Sequence, residues 1–152
     1  MAIKERLQQR AFTSPHQEAM LSVMVCSDIL FRIMEDLTEP HGITSAQYNV
    51  LRILRGVHPG GHPRREIIQR MIQVAPDVTR LIDRLEKNGL VRRDKSTEDK
   101  RLSMTFITDK GLVLLDRIQP HLDEANRKLW GSLTEEEALA LAKLCDKLVA
   151  SA

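Results

Sequence analysis

Aromatic residues are scarce in this chain of 152 residues: three Phe, one Tyr and one Trp. Its core must therefore be aliphatic, built from Leu, Ile, Val and Met. Cysteine is nearly absent too. Cys26 and Cys145 lie far apart, and neither sits in a Cys-x-x-Cys pair. That argues against a zinc site or a disulfide scaffold and fits a reducing compartment. No apolar run approaches the roughly 20 residues that cross a bilayer. The opening MAIKERLQQR is polar and charged, with no apolar signal region behind it. These absences predict a cytoplasmic protein with no membrane partner. A glycine-rich phosphate loop, His-Glu-x-x-His and Gly-x-Ser-x-Gly are all missing, so nothing points to an enzyme or to a cofactor. No internal repeat or low-complexity tract is present either.

Apolar residues make up 42% of the chain, ordinary for a folded protein and too many for a disordered one. The length suits one domain, or a small domain with dimerising arms. The formal charge is only +2, but it is unevenly spread. Lys and Arg balance Asp and Glu over residues 1–62, 6 against 6. Residues 63–101 carry 11 against 7, and residues 102–152 carry 6 against 8. Basic charge gathered in one segment is the footprint of a phosphate-facing surface, although a solvated charged face reads the same way.

Ser14-Pro15-His16-Gln17 is a helix start, with a capping serine, a proline at the first helical position and a glutamine placed to close a capping box. Ala19, Val23, Cys26, Leu30, Ile33 and Leu37 then recur at helical spacing, and Met20, Met24, Phe31 and Met34 form a second apolar side. Such a helix is buried on two faces, its own core and a partner chain. Pro40 and Gly42 end it. Thr44-Ser45-Ala46-Gln47 opens a second helix, and Gly56 to Pro63 is a loop by composition. A third helix spans about Arg64 to Ile72, with Ile67, Ile68, Met71 and Ile72 inward. Pro76 is placed to open a fourth, carrying Val78, Leu81, Ile82 and Leu85 on one face, with Gly89 as its left-handed stop. Leu90–Arg93 and Leu102–Thr108 read as two strands around a charged tip from Asp94 to Arg101. A long helix follows Thr108, kinked at Pro120. Thr134 and Glu137 box the start of a last helix whose inner face is Leu141, Leu144, Cys145 and Leu148. The apolar end helices exceed what the middle module can bury, so two copies are expected to pair.

With Val78, Leu81, Ile82 and Leu85 facing the core, Asp77, Thr79, Arg80, Asp83, Arg84 and Lys87 face out. Arg80 and Arg84 are one turn apart, and either can take guanine bidentately in a major groove. Thr79 and Asp77 are suited to a phosphate or an exocyclic amine. The same residues also read as a soluble helix surface with internal ion pairs. The hairpin tips the balance: Lys95, Lys100 and Arg101 crowd a two-stranded ribbon directly after the helix. An arginine there suits a narrow minor groove, and Asp99, two residues away, can brace it.

The run from Ile67 to Gly111 resembles the winged helix-turn-helix of the MarR family of bacterial transcription regulators. The pieces that carry the likeness are VTRLIDRLEKNGLVRR (Val78–Arg93), STEDKR (Ser96–Arg101) with its Asp-x-Arg, and ITDKG (Ile107–Gly111). The flanking helices match the family plan, so the likeness covers most of the chain. It implies a mainly α fold with a small β-hairpin wing: a DNA-binding domain over residues 44–108, flanked by a helical dimerisation region over 1–43 and 109–152. It implies that Arg101 is the wing-tip arginine, Asp99 its brace, and the helix beginning near Pro76 the recognition helix. Arg64 and Arg65 open the preceding helix as phosphate contacts. One departure is the cap: the family often has Ser or Asp before the recognition helix, where Ala75 stands here, with Pro76 and Asp77 to compensate.

The resemblance further implies a dimeric repressor on double-stranded DNA with a pseudo-palindromic operator, released by a small-molecule effector. A thiol or metal trigger is the alternative. Family members that sense peroxide support a first-helix cysteine with tyrosines, and this chain has Tyr48 alone. His58 and His62 flank Pro59-Gly60-Gly61, which is not helical, so they do not form a metal-binding pair on one face. His41, Tyr48 and Arg52 lie near where the family's ligand pocket falls. A winged module that docks protein instead of DNA is the remaining alternative, and it calls for an apolar outer face on the fourth helix.

Overall fold

The computed structural model describes residues 3–73, 77–95 and 102–151. Among these, the chain runs α1 (Ile3–Arg6), α2 (Pro15–Thr38), a 3-10 turn (Glu39–His41), α3 (Ser45–Arg55), β1 (His62–Pro63), α4 (Arg64–Arg70), α5 (Val78–Lys87), β2 (Val91–Lys95), β3 (Ser103–Ile107), α6 (Asp109–Trp130) and α7 (Glu135–Ala150). This is a mainly helical fold with a small antiparallel sheet. The chain divides into two compact units, Met1–Leu115 and Asp116–Ala152.

Local chemistry sets the helix starts in the first unit. Ser14 caps α2, its hydroxyl accepting from the Gln17 amide at 3.2 Å. The box closes one residue early, because the Gln17 side chain accepts from the amide of Thr13 at 2.7 Å. Thr44 and Gln47 form the full reciprocal box at α3, and Glu35 of α2 accepts from the Ser45 amide and hydroxyl, tying the two helices together. Thr38 ends α2 fully buried, and Gly42 after the turn takes φ +73°, a left-handed conformation that glycine adopts without strain.

The core of this unit is aliphatic, as the shortage of rings requires. Val50, Leu51 and Leu54 of α3, Ile67 of α4, Val78, Ile82 and Leu85 of α5, Leu90, Val91 and Ile107 are all buried. α4 stops at Arg70, two residues before the expected end. Met71 turns to an extended conformation, and Ile72 is 78% exposed instead of inward. Asn49 accepts from the Ile72 amide at 2.9 Å, so a side chain of α3 takes the hydrogen bond that another helical turn would have used.

The wing is larger than a hairpin. β2 and β3 pair antiparallel with Val91 opposite Ile107 and Lys95 opposite Ser103. β1, inside the expected loop, adds a third strand on the other edge of β3, with His62 opposite Thr105. Pro63 is tolerated there because an edge strand has one row of free backbone groups.

In the second unit α6 continues through Pro120, which therefore does not end the helix. Thr134 and Glu137 form the full box at α7. The stripe expected to face inward on α7 does not: Leu144 and Leu148 are more than half exposed in the single chain, and no residue of α7 is buried. The N-terminal half of α2 repeats the pattern, with Met20 and Met24 exposed and Cys26 exposed beside them. Among the described residues, no helix is long and apolar enough to cross a membrane.

Candidate nucleic-acid interface

α5 has a strongly two-sided sequence. Burying Val78, Ile82 and Leu85 forces Thr79, Arg80, Asp83, Arg84 and Lys87 outward, and all five are exposed. Leu81, expected on the inner face, is only half-buried. The C-terminal end of the helix is closed by Gly89 at φ +72°, where Thr108 donates to its carbonyl at 2.7 Å and Lys110 donates to the Asn88 carbonyl at 2.7 Å.

The start of α5 differs from the sequence reading. Asp77, not the Ala75 position, is the cap, and its carboxylate accepts from the Arg80 amide at 3.0 Å. Its second oxygen lies 3.3 Å from Arg80 Nε. Asp77 is thus engaged with its own helix. Ala75 and Pro76, the expected opening, lie outside the described residues.

Arg64, the first residue of α4, reaches across to donate to Thr79 Oγ1 at 2.8 Å. Arg64, Asp77, Thr79 and Arg80 therefore meet at one end of α5, and Arg65, the next residue of α4, is exposed. Arg84 and Lys87 lie further along the same outer face, with no ion-pair partner among the described residues. Lys95 is exposed at the far end of β2. Asp99, Lys100 and Arg101, the expected tip, lie outside the described residues.

Two basic residues of β2 escaped the sequence reading. Arg93 shares a strand face with buried Val91, which turns it toward α5. Its guanidinium reaches Asp83 and, at 3.5 Å, Glu86, and its amide donates to Glu86 at 3.1 Å. Arg92 points the other way and stacks over Phe106 at 4.3 Å, with Asp94 at 3.5 Å. Strand alternation after Val91 was the available signal.

His62 on β1 carries a buried Nε2 with no hydrogen-bond partner among the described residues. Burial holds its imidazole below the ordinary value, Arg70 pushes the same way, and Glu66 opposes them. Tyr48, expected near a ligand pocket, is a buried core residue. Among the described residues, no group of three His, Cys, Asp or Glu side chains could hold a metal ion.

The MarR family model matches residues 43–103. The chain is 32% identical over 119 residues to the HTH-type transcriptional repressor MdtR of Bacillus subtilis, covering 78% of this chain and 76% of that protein. It is 36% identical to the crystal structure of a MarR transcription factor from Planctomyces limnophilus, with a TM-score of 0.67, covering 90% of this chain and 98% of the other. The S. aureus MepR–DNA complex shares the fold, with a TM-score of 0.78, 22% identity, and coverage of 91% of this chain and 99% of the other.

Proposed function

The chain belongs to the MarR family of transcription regulators, and we propose that it reads double-stranded DNA with α5 in the major groove and the β2–β3 wing beside it. The observation that carries this is the outer face of α5. Arg80, Arg84 and Lys87 stand exposed on a helix whose other side is locked into the core. A module that docks an apolar protein surface would place apolar residues there.

In this reading Arg80 and Arg84 take base edges, each bidentate contact discriminating by about 1–3 kcal/mol. Thr79, Arg64, Arg65, Lys87 and Lys95 hold phosphates and set register, and Asp77 fixes the helix start from which they project. Asp99, Lys100 and Arg101 complete the wing on sequence grounds. The exposed apolar stripes of α2 and α7 pair two copies, so that the two recognition helices address half-sites about one DNA turn apart. The protein works as a dimeric repressor on a pseudo-palindromic operator, and a small-molecule effector releases it. The repressor role follows that named for the Bacillus subtilis relative.

The test is retardation of DNA from upstream of its own gene. With Arg64, Arg65, Lys87 and Lys95 on phosphate in both subunits, about eight contacts give a slope of log affinity on log salt near −7. Arg101→Ala is expected to weaken binding while leaving the dimer intact. No retardation at low salt overturns the reading. Unchanged binding by Arg101→Ala removes the wing from it.

A further inference from the structure

A helix that faces phosphate has reason to exclude acids, yet α5 holds Asp83 and Glu86 on its outward side. Both are claimed by one residue of the wing. Arg93 donates from one terminal nitrogen to Asp83 Oδ1, and its other terminal nitrogen lies 3.5 Å from Glu86 Oε2. The other oxygen of Glu86 accepts the Arg93 backbone amide at 3.1 Å. Glu86 therefore grips the strand by main chain and side chain together, and Asp83, three residues before it, holds the far side of the same guanidinium.

The position of this contact matters. Among the described residues β2 lies at the edge of the sheet, paired to β3 alone, and the Arg93 amide bonds to α5 instead of the ladder. The base of the hairpin is held by apolar burial at Leu90 and Val91. Beyond Val91 every residue of β2 is exposed, and the core no longer sets the direction of the strand. Arg93 sits midway along β2, opposite Thr105. A forked donor held by two carboxylates is rigid in a way that a single contact is not.

We propose that Arg93, held by Asp83 and Glu86, is a positioning residue that sets the angle between wing and recognition helix, so that both meet DNA in register. This rests on the DNA-reading function above and names a residue outside the contact set. Exposed ion pairs contribute little to stability, so a clamp of this kind acts on geometry more than on folding. It also neutralises the two acids that would otherwise repel phosphate.

Asp83→Asn separates the clamp from plain electrostatics, because the two predict opposite signs. Removing an acid from a DNA-facing helix tightens binding if only charge matters. Loosening the clamp weakens binding. The expected result is a loss of about five- to a hundredfold in affinity, the range produced by losing one aligned groove contact. The melting temperature is expected to stay within about 2 °C of wild type. Arg93→Lys keeps the charge without the fork and is expected to bind as weakly as Arg93→Ala. The double variant Asp83→Asn with Arg93→Ala is expected to lose no more than either alone, since each opens the same clamp. Binding by Asp83→Asn that equals or exceeds wild type overturns the proposal, as does full rescue by Arg93→Lys. If Asp83→Asn does not fold, the Arg93→Lys and Arg93→Ala pair decides in its place. Wild-type protein that retards no DNA sinks the functional reading itself, and the clamp with it.

Discussion

Replacing Asp77 with alanine removes the cap of α5 and, with it, an ion pair to Arg80. The two losses differ in size. A lost side-chain cap costs about 0.5–2 kcal/mol, because the Arg80 amide at 3.0 Å loses its acceptor at the end of a helix. The pair to Arg80 spans three residues on the surface, with the arginine side chain 79% exposed and the aspartate 50%. A pair of that kind is worth about 0.2–0.5 kcal/mol. The cap therefore dominates, and the expected total is about 1 kcal/mol, or roughly 2–4 °C in melting temperature for a chain of this size. Asp77→Ser keeps an acceptor and loses the charge, so it is expected to melt within about 1 °C of wild type. Circular dichroism melts at low salt and at about 1 M salt separate the causes further, since salt screens the pair and leaves the cap. Two results would refute the reasoning: Asp77→Ser melting as low as Asp77→Ala, or a deficit in Asp77→Ala that vanishes at high salt.

Gly111 faces the opposite test. Alanine is the better helix former by about 1 kcal/mol, but a Cβ at Gly111 runs into the Leu90 carbonyl oxygen and stands 2.7 Å from Ile107 Cγ1. Gly111→Ala is expected to destabilise by about 1–3 kcal/mol, and a raised melting temperature would refute the close approach of α6 to the wing. His62 gives a pH signature. Its folded-state imidazole is held below the ordinary value, so below about pH 6.5 the unfolded chain takes a proton that the folded chain refuses. Stability is therefore present above that pH and lost as pH falls through it. Melting temperature is expected to drop between about pH 8 and 5.5, and His62→Gln to flatten the drop. A His62→Gln profile that falls as steeply as wild type would count against this assignment.

The helix starts were largely legible because they are local. At Ser14, Thr44 and Thr134 a hydroxyl and the residues just beyond it complete most of the chemistry within one turn. The inner face of α5 was legible because Val78, Ile82 and Leu85 repeat at helical spacing. β1 was not. His62-Pro63 lies in a stretch of glycine and proline, and its strand partners, Thr105 and Met104, are far away in sequence. The cap of α5 was misplaced because Asp77 stands only two residues from Ala75, and both positions suit a helix start on pattern alone. The face of α7 was legible as apolar, but whether those leucines turn inward is a question of which surfaces the chain has left to cover.

Within the candidate interface the same division holds. The sequence alone determined that Arg80, Arg84 and Lys87 share an outward face, because helical periodicity and the burial of their neighbours leave them no other side. Tertiary structure decided what their neighbours do. It brought Arg64 to Thr79 and Arg93 to Asp83 and Glu86, pairs separated along the chain, and it turned Asp77 from a candidate contact into a cap. Periodicity specifies a direction for each side chain on its own element. Only the packing of one element on another specifies which charges meet, because that depends on distances between parts of the chain that no local pattern encodes.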